Sequence, residues 1–379
     1  MNLSLSDEQV FLREAARGAL SRFKTFEAVR EALDGKTDAI PDLWPTAKEA
    51  GWPGLLIDEQ HGGAGLDAFD AMLVLGECGR VIAPIGLLGH LPASSILNDS
   101  PAGASLLEDL ATGERRAAYL PVSPPDDLSG RWTVDPRSGL QRPDAPTASS
   151  DGDGARVSGT LSFVPDAPGA DVLVGVALLD GKPVGIAIES DASGVSIEAT
   201  TRYDASRSLG HVTLENAPAR VLDAPAESLA SAWHLAQSLI AAESLGSVET
   251  ALDVSVEYAK ERHTFGRAIG SYQAVKHSLT EVLRQLDNGR SLLYYAGWAR
   301  GGAPGEFPLA ASAARSVAGR ALDTASRTMI SVHGGTGATW EHDAPLYFRR
   351  AQLSRRLLGG TNGATDRVAG ELMAQADAA

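Results

Sequence analysis

The stretch Glu261-Arg262-His263-Thr264-Phe265-Gly266-Arg267, continued by Ile269-Gly270-Ser271-Tyr272-Gln273-Ala274-Val275-Lys276-His277, decides how the rest of this chain reads. A second stretch answers it downstream: Ser331-Val332-His333-Gly334-Gly335-Thr336-Gly337, then Trp340-Glu341-His342-Asp343 and Arg349-Arg350. Arg262 follows a long helical pattern and stands just before a glycine turn. A guanidinium there can grip a pyrophosphate through paired, charge-assisted bonds, or it can make an ordinary helix salt bridge. Thr264 offers a hydroxyl, Phe265 a flat face, and Gln273 an amide for a ribose or an adenine. Gly334, Gly335 and Gly337 would let a backbone approach a dinucleotide closely, or would simply form a loop. The residues alone leave both readings open.

Working outward, Leu239, Ala242, Leu245, Val248, Leu252 and Val256 keep one face apolar up to Tyr258, which predicts a long helix. Further helices are expected over 271–300 and 307–333. Upstream, from about Ala117 to Leu222, short alternating runs appear at 155–158, 172–176, 184–188 and 211–215, punctuated by Pro, Gly, Asp and Ser. That is the pattern of a small antiparallel sheet or barrel, with a long loop within Pro124–Gly154. Residues 1–115 read as helical. Ser6 with Gln9 makes a capping box, Leu12, Ala16, Leu20 and Phe23 follow as a stripe, and another apolar helix is expected from Ala68 to Ile82. Gly62, Gly63 and Gly65 follow no strand, so a plain loop is expected there rather than a phosphate cradle. Helices, then strands, then helices predict an α+β chain in three parts: an N-terminal helical domain over 1–115, a middle β domain over 116–224 and a C-terminal helical bundle over 225–379.

Composition sets the outer bounds. A chain of 379 residues with 44% apolar content can bury a large core in two or three domains. A net charge of −15 argues against nucleic acid as a partner, because phosphate backbones need a basic surface. A local arginine cluster can still hold a small anion. Cys78 is the sole cysteine, which excludes an intramolecular disulfide and a cysteine zinc site and fits a reducing, cytoplasmic setting. The opening residues run straight into a charged helix and read as no leader. Val172–Ile188 is interrupted by Gly175, Asp180, Gly181, Lys182 and Pro183, so two strands and a turn are expected rather than a membrane span. His277, His333 and His342 lack metal-ligand spacing, and no nucleophilic triad is evident.

The two quoted stretches resemble segments of the acyl-CoA dehydrogenase family, and the three-part layout is similar over essentially the whole chain. Within the family, Thr339-Trp340-Glu341-His342-Asp343 with Leu346-Tyr347-Phe348-Arg349-Arg350 resembles the actinobacterial branch that degrades sterol side chains, whose members often pair two unlike subunits. The resemblance implies an acyl-CoA dehydrogenase fold ending in a four-helix bundle, an acyl-CoA thioester as substrate, FAD as cofactor and a separate electron-transfer flavoprotein as acceptor. It implies flavin contacts from Arg262, Thr264, Phe265, Gly266 and Gln273, from Ser331, Gly334, Gly335 and Gly337, and from Phe163. It also implies that the two groups come from neighbouring subunits and hold one FAD between them.

The chain departs from the family where chemistry is done. Taking the α-proton of a thioester needs a positioned carboxylate and a polarised carbonyl. The family's Glu-Gly-Thr turn aligns with Gly359-Gly360-Thr361, or with one residue of slack puts Gly360 at that place. The alternative site for the base, early in the long helix, aligns with Ala236, followed by Gln237 where an Arg often stands. Both usual base positions are therefore empty. Glu243 lies on nearly the same helical face, about 10 Å further along, and a structural role is the favoured reading for it. Asp366 is expected to be solvated. The flavin-side loop of the sheet domain has no clear counterpart in Ser123-Pro124-Pro125-Asp126-Asp127-Leu128. Pro165, in Phe163-Val164-Pro165, has neither a hydroxyl nor an N–H to give a flavin. These losses point to a subunit that works beside a catalytic partner in a heterotetramer. A self-sufficient flavoenzyme with an unrecognised base and a non-enzymatic CoA- or protein-binding relative are the alternatives.

Overall fold

The computed structural model describes residues 4–36, 42–120, 145–152, 154–200 and 203–377. The segment Ser123–Leu128 and most of the expected loop before Gly154 lie outside the described residues.

The N-terminal part holds α1 (Asp7–Leu20), α2 (Thr25–Leu33), α3 (Trp44–Glu49), α4 (Ala68–Arg80), α5 (Leu87–Asn98) and α6 (Leu107–Thr112). Ser6 and Gln9 form the expected capping box: the Gln9 amide donates to the Ser6 hydroxyl and the Ser6 amide to the Gln9 side chain, at 3.2 and 3.1 Å. Phe23 does not continue the α1 stripe. The helix stops at Leu20, and Phe23 is exposed beyond it. The glycine-rich loop is held by its own backbone. A Cβ on Gly63 would lie 2.0 Å from the Ile57 carbonyl oxygen, so close packing alone requires glycine there.

The middle part contains β1 (Ala117–Tyr119), β2 (Thr147–Asp151), β3 (Gly154–Pro165), β4 (Val172–Leu179), β5 (Lys182–Glu189), β6 (Val195–Ala199) and β7 (Leu209–Leu222). Pairing runs β4-β2-β3-β7-β5 and returns to β4, closing a small barrel; β1 adds to β4 and β6 to β7. Closure removes the open edges such short strands would otherwise expose. The barrel is not wholly antiparallel as expected: β1–β4 and β2–β4 pair in parallel.

Four long helices build the C-terminal part: α7 (Ala226–Glu261), α8 (Gln273–Gly302), α9 (Phe307–His333) and, after α10 (Ala344–Ser354), α11 (Gly360–Asp377). A two-strand hairpin, β8 (His263–Thr264) and β9 (Arg267–Ala268), joins α7 to α8. The middle of α7 is buried on every side, because α4, α5, α8 and α9 all pack on it. Where α4 crosses α7 the backbones touch: a Cβ on Gly79 would sit 1.9 Å from the Glu243 carbonyl oxygen, and one on Gly246 would sit 1.9 Å from that of Gly76. Among the described residues no helix is long and apolar enough to cross a membrane.

Candidate functional site

At the end of α7 the Arg262 amide still donates to the Tyr258 carbonyl at 2.8 Å, but its own backbone turns extended. The hairpin then reverses at Phe265 and Gly266, with φ of +52° and +80°. Two successive positive φ values suit a tight hairpin whose twist matches its strands. The Tyr272 hydroxyl donates to the Thr264 carbonyl at 3.0 Å and the Arg267 guanidinium lies 4.0 Å over the Tyr272 ring, so the hairpin is braced from below. Arg262, Thr264, Phe265 and Gln273 all face outward, and Phe265 is 92% exposed. Among the described residues the Arg262 side chain has no partner, so the salt-bridge alternative for it does not hold.

The second motif lies at the same end of the bundle. The Tyr258 ring stacks on His333 at 4.3 Å, and His333 meets His342 at 4.3 Å. Ser331, Gly334 and Gly335 are exposed, and a Cβ on either glycine would meet nothing within 4 Å. Gly337 is different. It is buried, and its Cβ would lie 2.7 Å from the Ile330 carbonyl oxygen, so its own chain requires a glycine there. Phe163 stands at an irregularity of β3 with φ +57° and packs edge-on against His211 at 4.8 Å.

The neighbours of the two sequence positions for a base, Gln237 and Leu358, are hydrogen-bonded to each other. Ala236 is wholly buried, and the next residue, Gln237, donates through Nε2 to the Leu358 carbonyl at 2.7 Å. Leu358, Gly359 and Gly360 follow each other with φ of +52°, +81° and +72°. Arg315 of α9 braces this turn from behind, donating to the carbonyls of Ser354 (2.5 Å) and Leu357 (3.2 Å). Burial, with Arg207 and Arg367 nearby, pushes Arg315 down to about 9. Several buried polar atoms here lack a partner among the described residues: Trp233 Nε1, His234 Nδ1, Gln237 Oε1 and Arg315 Nε. Orphaned buried groups of this kind mark a place built for a ligand or water. Among the described residues no carboxylate is hydrogen-bonded to Gln237.

Glu243, two turns further along α7, is engaged elsewhere. Its two oxygens accept from Arg207 and from Arg350 of α10. Arg350 also donates to Asp204 through Nε (2.7 Å) and to the Ser206 carbonyl (2.8 Å) and hydroxyl (2.7 Å). All four charged side chains are at most 6% exposed. Burial raises the Glu243 and Asp204 carboxyls, but the facing guanidiniums outweigh it and hold both below the ordinary carboxylate range. Asp204, Ser206 and Arg207 escaped sequence reading because they look like a polar loop. Arg350 and Arg315 carried a signal that was legible. Arg350 falls on the buried stripe Leu346, Tyr347, Arg350, Ala351, Ser354, and Arg315 falls among Ala311, Ala314, Ala318 and Gly319.

Burial also sets an acid limit. His90 is enclosed, with Nε2 3.2 Å from the Pro53 carbonyl and Nδ1 accepting from the Ala117 amide at 3.1 Å; burial pushes it down to about 4. Burial pushes His234 down to about 3. Below an ordinary histidine's 6.5 the unfolded chain takes protons that these two refuse, so folded stability falls as the pH drops from about 6.5 toward 4. Asp166, raised by burial to about 6, works the opposite way, one group against two. The depressed Asp204 and Glu243 add their own loss as the pH falls below the carboxylate range. Denaturant titrations at pH 7.5, 6 and 5 should show a steady decline; a flat profile would contradict this assignment.

Comparison with known proteins gives this geometry a context. The family models for the acyl-CoA dehydrogenase N-terminal and C-terminal domains match residues 6–122 and 231–373. Acyl-CoA dehydrogenase FadE34 of Mycobacterium tuberculosis is 31% identical over 370 residues, covering 95% of this chain and 47% of that protein. The chain thus spans about half the length of FadE34. Acyl-CoA dehydrogenase IpdE2 of Mycolicibacterium smegmatis is 28% identical, covering 94% of this chain and 96% of that one. A variant of the Tcur3481–Tcur3483 steroid ACAD matches at 30% identity with a TM-score of 0.86, over 99% of this chain and 100% of its own. The chain belongs to the acyl-CoA dehydrogenase family of FAD-dependent oxidoreductases. Among the described residues no group of three or more His, Cys, Asp or Glu could hold a metal.

Proposed function

We propose that this chain is the partner subunit of a two-subunit acyl-CoA dehydrogenase. It contributes grip on an FAD at the subunit interface and leaves proton abstraction to the other subunit. The observation that carries this reading is the hydrogen bond of Gln237 to Leu358, each the neighbour of one of the two aligned base positions, Ala236 and Gly359, neither of which bears a carboxylate. The outward hairpin fits a dinucleotide: an unpaired Arg262 for the pyrophosphate, the open face of Phe265, the amide of Gln273, and the uncrowded backbone at Gly334 and Gly335. Bound FAD supplies the acceptor for the β-hydride. Because these groups face away from their own bundle, they serve a cofactor shared with another subunit. Glu243 does not replace the base. Two guanidiniums hold it as an anion, about two helical turns from Ala236. The pairing of two named chains in the Tcur3481–Tcur3483 steroid ACAD supports a mixed assembly and a bulky, steroid-like acyl group. The family resemblance supports an electron-transfer flavoprotein as the acceptor.

The test is anaerobic. The chain purified alone with FAD should not bleach on addition of acyl-CoA thioesters, and bleaching should appear once a family partner is co-expressed. Bleaching by the chain alone would mean that it carries its own base, and this reading would fall. In the mixed complex Arg262→Ala should lower flavin content severalfold, since a charge-assisted phosphate contact is lost; unchanged flavin content would remove Arg262 from the site.

A further inference from the structure

His342 joins the open glycines at 334 and 335 to the start of α10. Its ring Nδ1 accepts the backbone amide of Ala344, the first residue of α10, at 3.1 Å. An acceptor nitrogen carries no proton, so this ring is the neutral tautomer with its hydrogen on Nε2. Asp343 precedes the helix and would be its ordinary cap, but its carboxylate makes no bond to the first-turn amides. It is turned instead to Arg30 of α2, at 2.5 Å. His342 thus caps α10 in its place. The same ring packs on His333, with centroids 4.3 Å apart, and the Tyr258 ring stacks on His333 in turn. His333 is buried, and its Nδ1 donates to the Met329 carbonyl at 2.8 Å, which pins it to the last turn of α9. Gly334 follows it directly and leaves the helix with φ +60° and ψ −136°. Two touching imidazoles therefore link the cap of α10 to the turn at Gly334 and Gly335.

We infer that His342 is a positioning residue for the flavin grip: neutral, it caps α10 and packs on His333, which fixes the backbone at Gly334 and Gly335; protonated, it gives up both contacts and the grip loosens. This rests on the proposed function, which sets those glycines against FAD. Protonation at Nδ1 replaces the lone pair with a hydrogen, so two donors then face each other at the Ala344 amide. The new charge would stand at the N-terminus of α10, the end of a helix that disfavours cations. The charged and titratable groups around the ring are Arg30 from α2, His333 from α9 with the Tyr258 phenol of α7 stacked on it, and Glu341 and Asp343 on either side in the chain. Arg30 also donates to the Trp340 carbonyl at 2.9 Å, so it is held close by. Burial first, then His333 and Arg30, keep His342 below an ordinary histidine's range against the opposing pull of Asp343. A group lowered in this way stays neutral at pH 7 and takes its proton only as the pH falls past its own value. The grip is therefore full at neutral pH and lost in acid.

The first arm of the test uses the full chain without flavin. An NMR titration from pH 7.5 to 5 follows the His342 ring and the backbone amides of Gly334, Gly335 and Ala344. The three amides should shift together with the ring. They should stay in place in His342→Asn, whose side-chain oxygen can accept the Ala344 amide but does not titrate. The second arm measures FAD affinity in the mixed complex over the same range. Affinity should fall about three- to tenfold from pH 7.5 to 5, within the limit of about tenfold per pH unit that one proton allows, and His342→Asn should flatten the profile. A His342 ring that does not titrate, glycine amides that ignore its titration, or an equal loss of affinity in His342→Asn would each overturn the positioning role while leaving the flavin contact itself standing. Should His342→Asn fail to fold, the titration of the unaltered chain still decides. Amides that move with His342 while FAD affinity stays flat would instead take Gly334 and Gly335 out of the flavin site, and the proposed grip there would fall together with the inference.

Discussion

Arg350→Met should destabilise the chain by about 3–5 kcal/mol, the usual consequence of removing one partner from a buried ionic cluster. The guanidinium is 1% exposed and joins three separate segments: Asp204 and Ser206 just before β7, Glu243 in the middle of α7, and its own helix α10. Without it Asp204 loses its direct ion pair, and Glu243 keeps only Arg207. The variant should show a lower denaturant midpoint, with the tie between barrel and bundle weakened first. Adding Glu243→Gln to Arg350→Met should restore part of the loss, because one of the two carboxylates left short of positive charge is then neutral. A midpoint within about 1 kcal/mol of the parent, below the range for a broken buried pair, would show that the cluster does not tie these segments together.

Gly79→Ala should be nearly as damaging, through geometry rather than charge. The added Cβ would fall 1.9 Å from the Glu243 carbonyl oxygen, a backbone atom that no side-chain rotation can move aside. Helices α4 and α7 must then separate. Overpacking of this kind costs about 1–3 kcal/mol and sometimes more. The separation also stretches the bond from the Ser247 hydroxyl to the Gly79 carbonyl, now 2.6 Å, and shifts the backbone that carries Glu243. The check is a pair of denaturation curves: Gly79→Ala should unfold well before Gly18→Ala, an exposed α1 glycine with nothing within 4 Å of its Cβ site. Equal midpoints would mean that the two helices tolerate a wider crossing.

Much of the fold was legible because its signals are local. The Ser6–Gln9 box, the predicted helix over 307–333, which matches α9, and the short strand runs of the barrel depend on neighbouring residues alone. Barrel closure and the parallel pairings of β4 did not show, since they are set by which distant strands meet. The hairpin at Phe265 and the open glycines at 334 and 335 could be read from residue chemistry. Gly337 differs from them: it is buried, and the carbonyl that a Cβ there would meet belongs to Ile330, in the last turn of α9 just before it. The charged cluster stayed hidden for a different reason. Asp204, Arg207, Glu243 and Arg350 lie far apart in sequence, and a charge inside an apolar stripe declares its burial but not its partner.

The left-handed run Leu358-Gly359-Gly360 bears on where a side chain can be carried at this turn. A glycine at φ +81° accepts its conformation freely, whereas a glutamate placed there would carry about 1–2 kcal/mol of backbone strain in addition to burying a charge. Ala236 lies in regular helix and imposes no such strain on a side chain. Placing a carboxylate in this turn by a single substitution is therefore uphill, while a helix-borne one at Ala236 carries no such strain. On the proposed reading as a partner subunit, the shape of three backbone residues therefore favours leaving the carboxylate to the other subunit.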